Sequence, residues 1–279
     1  MLSYQHAFHA GNIADIHKHL CLTWCLETLN QKEKPYTYLD THAGAGRYVF
    51  KRNNNSRSQQ AVTEQNMGID LLWSQNNWPS SFEAYQNILQ KENSQKHLGC
   101  YPGSPWIAKH LLREQDTAHY VEIQPTTHRK LRHLFKNNTD HTYIHCRDGF
   151  EAAYALIPPK TARGLVMIDP AYELKSDFDD VAECVTKTFV KWRTGTYLIW
   201  YPILRNQRAD LALKRKCMQA ALGESLCSEW LLPPSDAYFN LVGTGVIIMN
   251  PPWKIDEKLA QAATFLQKIG AIKHATLTQ

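Results

Sequence analysis

The chain of 279 residues lacks any apolar run approaching the roughly 20 residues that a membrane-spanning helix needs. Its first residues also lack the basic region and the small-residue cleavage site of a signal peptide. We therefore expect a cytoplasmic protein without a membrane partner.

The sequence also lacks the spacings that are typical of disulfide and metal sites. Its seven cysteines are odd in number and never form a C-x-x-C pair. The N-terminal histidines His6, His9, His17 and His19 match no known ligand spacing. We predict reduced, structural cysteines and no metal site.

Charged residues make up only 20% of the chain and hydrophobic residues 43%, a balance typical of an ordered globular protein. The formal net charge is +5. Such a mildly basic balance favours a polyanionic partner without requiring one.

Six short segments rich in β-branched and aromatic residues predict strands. They are residues 36–40, 118–123, 142–146, 164–169, 196–202 and 244–250. Helix-length segments separate them, and a further helix, capped by Asn12, is expected over residues 14–29. The alternation predicts a doubly wound, Rossmann-like α/β sheet.

The interval from Asp40 to Glu122 is much longer than the about 30 residues of a simple strand-helix-strand unit. We expect a helical insertion subdomain at 52–98, entered through a mobile loop, and a core formed by 1–51 and 99–279. Apolar residues recur at helical spacing in the insertion, at Met67, Leu71 and Leu72 and again at Phe82, Tyr85 and Leu89.

The first strand leads into the turn Asp40-Thr41-His42-Ala43-Gly44-Ala45-Gly46. Two glycines at a strand-to-helix turn let the backbone approach a ligand closely, although an ordinary tight turn has the same composition. The turn lacks the third glycine of a dinucleotide site and the Lys-Ser/Thr of a phosphate loop, which disfavours both kinds of ligand.

Acidic residues follow the next two strands, Glu122 after one and Asp148 after the other. A carboxylate at the second position can bind ribose hydroxyls, and one at the third can accept from an adenine amine. Each acid alone is typical of a helix cap or a surface charge. With the glycine turn, they favour an adenosyl cofactor that carries no phosphate.

The fourth strand ends in Asp169-Pro170-Ala171-Tyr172, at the sheet edge where ligands bind in such folds. The Asp169 carboxylate and the Pro170 carbonyl can accept hydrogens from an amine, and Tyr172 can stack on a base. The alternative is a proline turn after a buried strand. Asn250-Pro251-Pro252-Trp253 is a similar sequence, but it follows what is predicted to be the last strand, so we expect a structural turn there.

The assembled motifs resemble the bacterial family of 23S ribosomal RNA adenine-N6 methyltransferases called methyltransferase J, over the full length of the chain. They are Y-x-H-x-F-H-A-G-N-x-A-D from Tyr4 to Asp15 with Lys18-His19, then YLDTHAGAGRY, YPGSP, LLREQD, DGF, IDPAYE, GTY with WYP, and NPPWK. The resemblance implies a class I fold dependent on S-adenosylmethionine, with a helical insertion that helps to bind RNA.

The resemblance implies a set of site residues. Together with the turn glycine Gly44, the cofactor contacts are His19, His42, Ser104, Glu122, Asp148, Gly149 and Asp169. Asp169 is also the catalytic group, with Pro170 and Tyr172 beside it, and Tyr4, His6 and Lys18 are expected to contact the substrate. Protein-free 23S RNA and a monomeric enzyme are expected.

One departure concerns the amine-binding motif, because the family's Asp-Pro-Pro-Tyr is Asp-Pro-Ala-Tyr here. Ala171 does not fix φ as proline does. Two alternatives stay open: a DNA adenine methyltransferase, and a non-catalytic nucleic-acid-binding protein linked to use of external DNA. The basic residues expected to hold phosphates are Lys51, Arg52, Arg57, Lys109 and Arg113.

Overall fold

A computed structural model describes residues 9–50, 63–94, 97–137, 141–205, 208–221, 224–235 and 240–279. The strands are β1 Thr37–Asp40, β2 Arg47–Val49, β3 Cys100–Pro102, β4 Thr117–Val121, β5 Thr142–His145, β6 Gly164–Ile168, β7 Thr196–Leu204, β8 Ser225–Leu231, β9 Leu241–Met249 and β10 His274–Thr278. The helices are α1 Ile13–Asn30, α2 Leu71–Trp73, α3 Glu83–Glu92, α4 Ser104–Leu111, α5 Pro125–Leu134, α6 Gly149–Leu156, α7 Asp177–Lys191, α8 Ala209–Ala220 and α9 Ile255–Lys268.

Eight of the strands form one sheet in the order β10-β8-β9-β7-β6-β1-β4-β5. β5, β4, β1, β6 and β7 pair in parallel, while β9 runs antiparallel between β7 and β8. β6 lies near the centre and every one of its residues is buried, as expected for a strand covered on both faces. The carboxyl ends of the parallel strands therefore meet at one edge.

The predicted doubly wound α/β fold is confirmed, and all six predicted strands are present as β1, β4, β5, β6, β7 and β9. The prediction that the strand before Asn250 is the last one is wrong. β10 follows it and pairs with β8. Since β10 is mostly exposed and polar, it has no apolar alternation that would have revealed it.

The predicted first helix is confirmed as α1, with Asn12 as its cap: the Asn12 side chain accepts from the Asp15 amide at 2.8 Å. Every residue from Ile13 to Leu26 is buried, because α1 packs against β7, β9 and α4. A helix enclosed in this way has no solvent face. Polar residues on α1 are therefore held inside the protein.

Between β2 and β3 the chain forms short helices, in agreement with the helical spacing seen there. A π-helical turn at Asn66–Asp70 leads into α2, and a 3-10 turn at Ser80–Phe82 leads into α3. Their apolar side chains, including Ile69 and Tyr85, are buried in the same core as α1. The segment thus encloses α1 from the side opposite the sheet.

All seven cysteines are free thiols, as predicted, and six of them are buried. Of the helices in the described ranges, none combines the length and the apolar character that crossing a membrane requires. The same ranges contain no cluster of three His, Cys, Asp or Glu side chains arranged to hold a metal ion.

Candidate active site

The glycine turn after β1 has the backbone conformation that its sequence predicts. Gly44 and Gly46 have φ values of 63° and 77°, in the left-handed region that favours glycine. A Cβ on Gly44 would lie 2.4 Å from the Tyr48 hydroxyl oxygen. The turn therefore requires glycine at both positions.

Glu122 connects this turn to the end of β4. Its carboxylate accepts from the Gln124 amide at 2.7 Å and from the backbone amide of Gly44. Burial raises the pKa of Glu122, although both hydrogen bonds oppose the rise. A carboxylate so fixed beside the turn can accept from hydroxyl groups of a ligand.

Asp148 caps α6, as the alternative interpretation of this acid predicted. One carboxylate oxygen, Oδ1, accepts from the amides of Phe150 and Glu151, both at 2.9 Å. A Cβ on Gly149 would lie 2.2 Å from the Thr41 carbonyl oxygen. The absence of a side chain on Gly149 thus lets α6 begin directly against the glycine turn.

His42 lies between these groups, with its ring 5.1 Å from that of Phe150. Burial lowers the pKa of His42 to about 4, and the nearby Asp148 opposes that shift. The imidazole is therefore neutral at pH 7. It can exchange hydrogen bonds with a ligand at the turn without adding a charge.

Asp40, the last residue of β1, is fully buried beneath the site. Its carboxylate accepts from the Tyr38 hydroxyl at 3.0 Å, from the Ser104 hydroxyl and from the His42 amide at 3.3 Å. Burial, aided by the negative charge of Asp169, raises the pKa of Asp40 to about 6. Ser104 is thus placed at the site by its bond to Asp40.

Asp169 follows β6 at the same edge and forms an ion pair with Lys18 of α1. Lys18 Nζ lies 2.5 Å from Oδ2 of Asp169 and 2.8 Å from Oδ1 of Asp15. The ammonium also lies 5.2 Å from the centre of the Trp200 ring. Lys18, which the sequence assigned to the substrate, therefore contacts the predicted catalytic carboxylate directly.

The residues after Asp169 form a tight turn with a buried ring. Tyr172 has a φ of 50° and its hydroxyl donates to the Trp200 carbonyl at 2.7 Å. Its ring lies 4.5 Å from that of Phe178. Pro170 is buried, whereas Ala171 is exposed. Because only 8% of Tyr172 is exposed, stacking of a base on this ring stays a prediction.

His19 of α1 is another expected cofactor residue. Its Nδ1 is 2.8 Å from the Tyr101 hydroxyl, which in turn is 2.9 Å from the Tyr85 hydroxyl. All three side chains are buried. The insertion thus reaches the site region through Tyr85.

Asn250 begins the sequence that is similar to the Asp169 motif. It lies at the opposite end of the strands from Asp169, where the parallel strands begin. β9 runs antiparallel to β7, and Asn250 comes just after Met249, the partner of Tyr197 at the start of β7. Its side-chain amide donates to the carbonyls of Arg193 and Gly195 at 2.6 and 2.8 Å. This arrangement is a structural turn, as expected.

The remaining predicted contacts are the N-terminal substrate residues and the basic residues. Tyr4 and His6, like Lys51, Arg52 and Arg57, lie outside the described residues. Arg113 bonds Asp116 at 2.8 Å and the carbonyls of Lys32 and Lys34, so its guanidinium already has partners within the protein. Lys109 lies 3.9 Å from the centre of the Trp106 ring.

Three residues of the site were not singled out from the sequence. Asp15 lies three positions before Lys18, a spacing that brings side chains together on a helix. Asp40 ends β1, just as Asp169 follows β6, so its position at the carboxyl end of a parallel strand could have identified it. Trp200 had no such signal, since its contact with Tyr172 depends on how β7 pairs with β6.

The comparisons with known proteins show the family of the chain. The family described as "Ribosomal RNA large subunit methyltransferase D, RlmJ" matches residues 33–277. Proteins named Ribosomal RNA large subunit methyltransferase J from Escherichia coli and Haemophilus influenzae are 37% and 38% identical, over 95% and 96% of this chain and 93% and 94% of theirs. The crystal structure of protein LPL1258 from Legionella pneumophila is 31% identical, with a TM-score of 0.86 and 97% of each chain covered. The chain belongs to the RlmJ family of ribosomal RNA large subunit methyltransferases.

Proposed function

We propose that the protein transfers a methyl group from S-adenosylmethionine to the N6 amine of an adenine in 23S ribosomal RNA. The observation that carries this proposal is the position of Asp169-Pro170, at the same sheet edge as the glycine turn. Two hydrogen-bond acceptors there suit an amine with two hydrogens. The names of the relatives supply the ribosomal RNA substrate.

The residues at this edge fit S-adenosylmethionine. Gly44 has the left-handed backbone that this turn needs, and its amide bonds the Glu122 carboxylate at the end of β4. Glu122 and Asp148 offer carboxylates for ribose hydroxyls and an adenine amine, and Asp40 with Ser104 lies below the turn. When bound, the cofactor supplies a methyl group on a positively charged sulfur.

Asp169 and Pro170 then orient the target amine. The carboxylate and the Pro170 carbonyl accept its two hydrogens, which aims the nitrogen lone pair and stabilises the positive charge that develops on nitrogen. Lys18 favours the ionised form of Asp169, the form that can only accept hydrogen bonds. The adenine has to leave its stack to reach this edge, as is usual for chemistry on a base.

We further propose that the substrate is protein-free 23S RNA and that the enzyme acts as a cytoplasmic monomer. Neither property follows from the fold. The substrate is tested by a methylation assay with naked RNA and with assembled large subunits. The oligomeric state is tested by the mass of the active species in solution.

The test is transfer of label from S-adenosylmethionine to 23S RNA from cells that lack this protein, with genomic DNA tested in parallel, followed by analysis of the modified nucleoside. Asp169→Ala is compared with Asp179→Ala, which removes an exposed carboxylate on α7. Labelled N6-methyladenine that requires Asp169 but not Asp179 supports the proposal. Label in DNA alone favours the DNA enzyme, and absence of both transfer and cofactor binding favours the non-catalytic alternative.

A further inference from the structure

Positive charge is concentrated in one part of the chain. Residues 123–147 contain five Lys or Arg side chains and one acidic residue, Asp140, whereas the formal net charge of the whole chain is +5. The remainder is therefore close to neutral. This segment comprises α5, the connection after it, and the edge strand β5 with the residues that follow it.

Most of these cations lie on or just after α5. Arg129, Arg132 and His133 are neighbours on one face of the helix, Lys136 follows two residues after its end, and all four are exposed. Leu131, on the other side, is buried. The hydrophobic contacts that hold α5 to the sheet thus leave its basic face in solvent.

Within the described part of the chain, the cations of this segment have no acidic partner. Among the salt bridges of the described residues, none involves Arg129, Lys130, Arg132, Lys136 or Arg147. Other cations of the core behave differently: Arg47 pairs with Glu92 at 2.9 Å and Arg113 with Asp116. The cations of this segment thus give the surface of the described protein a local excess of positive charge.

This surface begins beside the candidate active site. α5 starts at Pro125, three residues after Glu122, and Arg147 immediately precedes Asp148. Three strand spacings separate β5 from β6, about 14 Å at the usual distance between neighbouring strands. An RNA that brings one base to Asp169 therefore has neighbouring phosphates within reach of this face.

We propose that Arg129 and Arg132 of α5 and Lys136 just after it, together with Arg147, bind the phosphate backbone of the RNA that flanks the target nucleotide. The proposal rests on the proposed function in taking RNA as the substrate, but it does not depend on which atom is methylated. Contacts of this kind position the substrate and carry no base specificity.

The test compares the triple variant Arg129→Gln, Arg132→Gln, Lys136→Gln with a matched control, Arg193→Gln, Arg215→Gln, Lys268→Gln. The control cations are also exposed and outside the described salt bridges, but they lie away from α5. Filter binding of labelled, protein-free 23S RNA is measured from 50 to 200 mM KCl. Binding of S-adenosylmethionine by calorimetry verifies that each variant keeps its fold.

We expect the α5 variant to bind RNA roughly tenfold to a hundredfold more weakly near 150 mM salt, and the slope of log Kd against log salt to fall by about 2 to 3. The control should keep the wild-type slope and affinity, and cofactor binding should be equal in all three proteins. An α5 variant whose slope and affinity match the control overturns the inference.

The proposed function fails in a different way. If the wild-type protein binds RNA but methylates another atom or none, that function is wrong, while the slope comparison still decides the role of α5. If the wild-type protein does not bind RNA at all, both are overturned.

Discussion

Lys18 Nζ lies 2.5 Å from Oδ2 of Asp169, and the two side chains are only 5% and 13% exposed. The pair joins the middle of α1 to the residue that follows β6, elements that are far apart in the sequence. Asp15 contacts the same ammonium at 2.8 Å. A cation thus sits between two carboxylates at the centre of the candidate site.

Replacing Lys18 by Met leaves two largely buried carboxylates without their shared cation, which should lower the free energy of unfolding by about 3 to 5 kcal/mol. Asp169→Asn in the same chain should recover part of that loss. Urea unfolding of the two single variants and the double variant measures the coupling, expected above about 1 kcal/mol. Lys187→Met, which removes an exposed pair with Glu183, should cost less than about 1 kcal/mol. Additive losses for Lys18 and Asp169 would contradict the prediction.

Asp40 should make stability decrease as the pH rises. Burial raises the pKa of Asp40 from 3.8 to about 6, so between these values the folded chain keeps a proton that the unfolded chain releases. Ionisation above about pH 6 then costs roughly 2 to 3 kcal/mol of stability. Relative to wild type, Asp40→Asn should become more stable by this amount between pH 4 and pH 7.

The measurement is urea unfolding of both proteins at half-unit steps of pH. The groups facing Asp40 are Tyr38, Ser104, His42 and Asp169, and they stay in both proteins, so the difference between the two curves isolates Asp40. A difference that is flat across this range would show that the carboxylate is ionised throughout. Asp40→Asn also changes stability by altering hydrogen bonds. This change is the same at every pH, so it does not affect the pH dependence of the difference.

The sheet and its binding edge could be predicted from the sequence because both depend on local patterns. Apolar strands alternate with helices, and a glycine or an acid follows β1, β4, β5 and β6, as Gly44, Glu122 and Asp169 illustrate. The pairing across α1 could not be predicted. Lys18 lies in a helix that is buried on all sides, so no apolar stripe indicated which way its side chain points.

The sequence also did not show which cations are paired within the protein. The folded chain shows that Arg113 is paired with Asp116, whereas no salt bridge of the described residues involves Arg129. The identity of Asp148 as a helix cap was open for a related reason. Its two roles are compatible, since one carboxylate oxygen accepts both capping bonds.

Gly149→Ala should disrupt the site by displacing α6. The new Cβ would lie 2.2 Å from the Thr41 carbonyl oxygen, so either the helix or the glycine turn has to move. We expect a loss of about 1 to 3 kcal/mol of stability and weaker binding of S-adenosylmethionine by at least roughly tenfold, about 1.4 kcal/mol. Gly99→Ala is the control, because its nearest neighbour would be 3.7 Å away. Calorimetric titration that finds equal affinities in both variants would show that the Gly149 contact does not position the site.

His17 should have the opposite pH dependence to Asp40. Its ring stacks on Trp230 at 3.7 Å, and Nε2 lies 3.0 Å from the Ser228 hydroxyl, fully buried. Burial lowers the pKa of His17 from 6.5 to about 3, so the folded chain binds no proton there while the unfolded chain does. Stability is complete above about pH 6.5 and falls by about 1.4 kcal/mol per pH unit below it, as far as about pH 3.

His17 and Asp40 therefore act against each other between about pH 4 and 6, where one stabilises the fold with rising pH and the other destabilises it. His17→Asn removes the ring stacking on Trp230, and this loss of stability is the same at every pH. The only change in the pH dependence of stability should be the loss of the contribution from His17. Over this range, and relative to wild type, the His17 variant should lose stability with rising pH and the Asp40 variant should gain it. Parallel unfolding curves for the three proteins would mean that neither group retains its shifted pKa in solution.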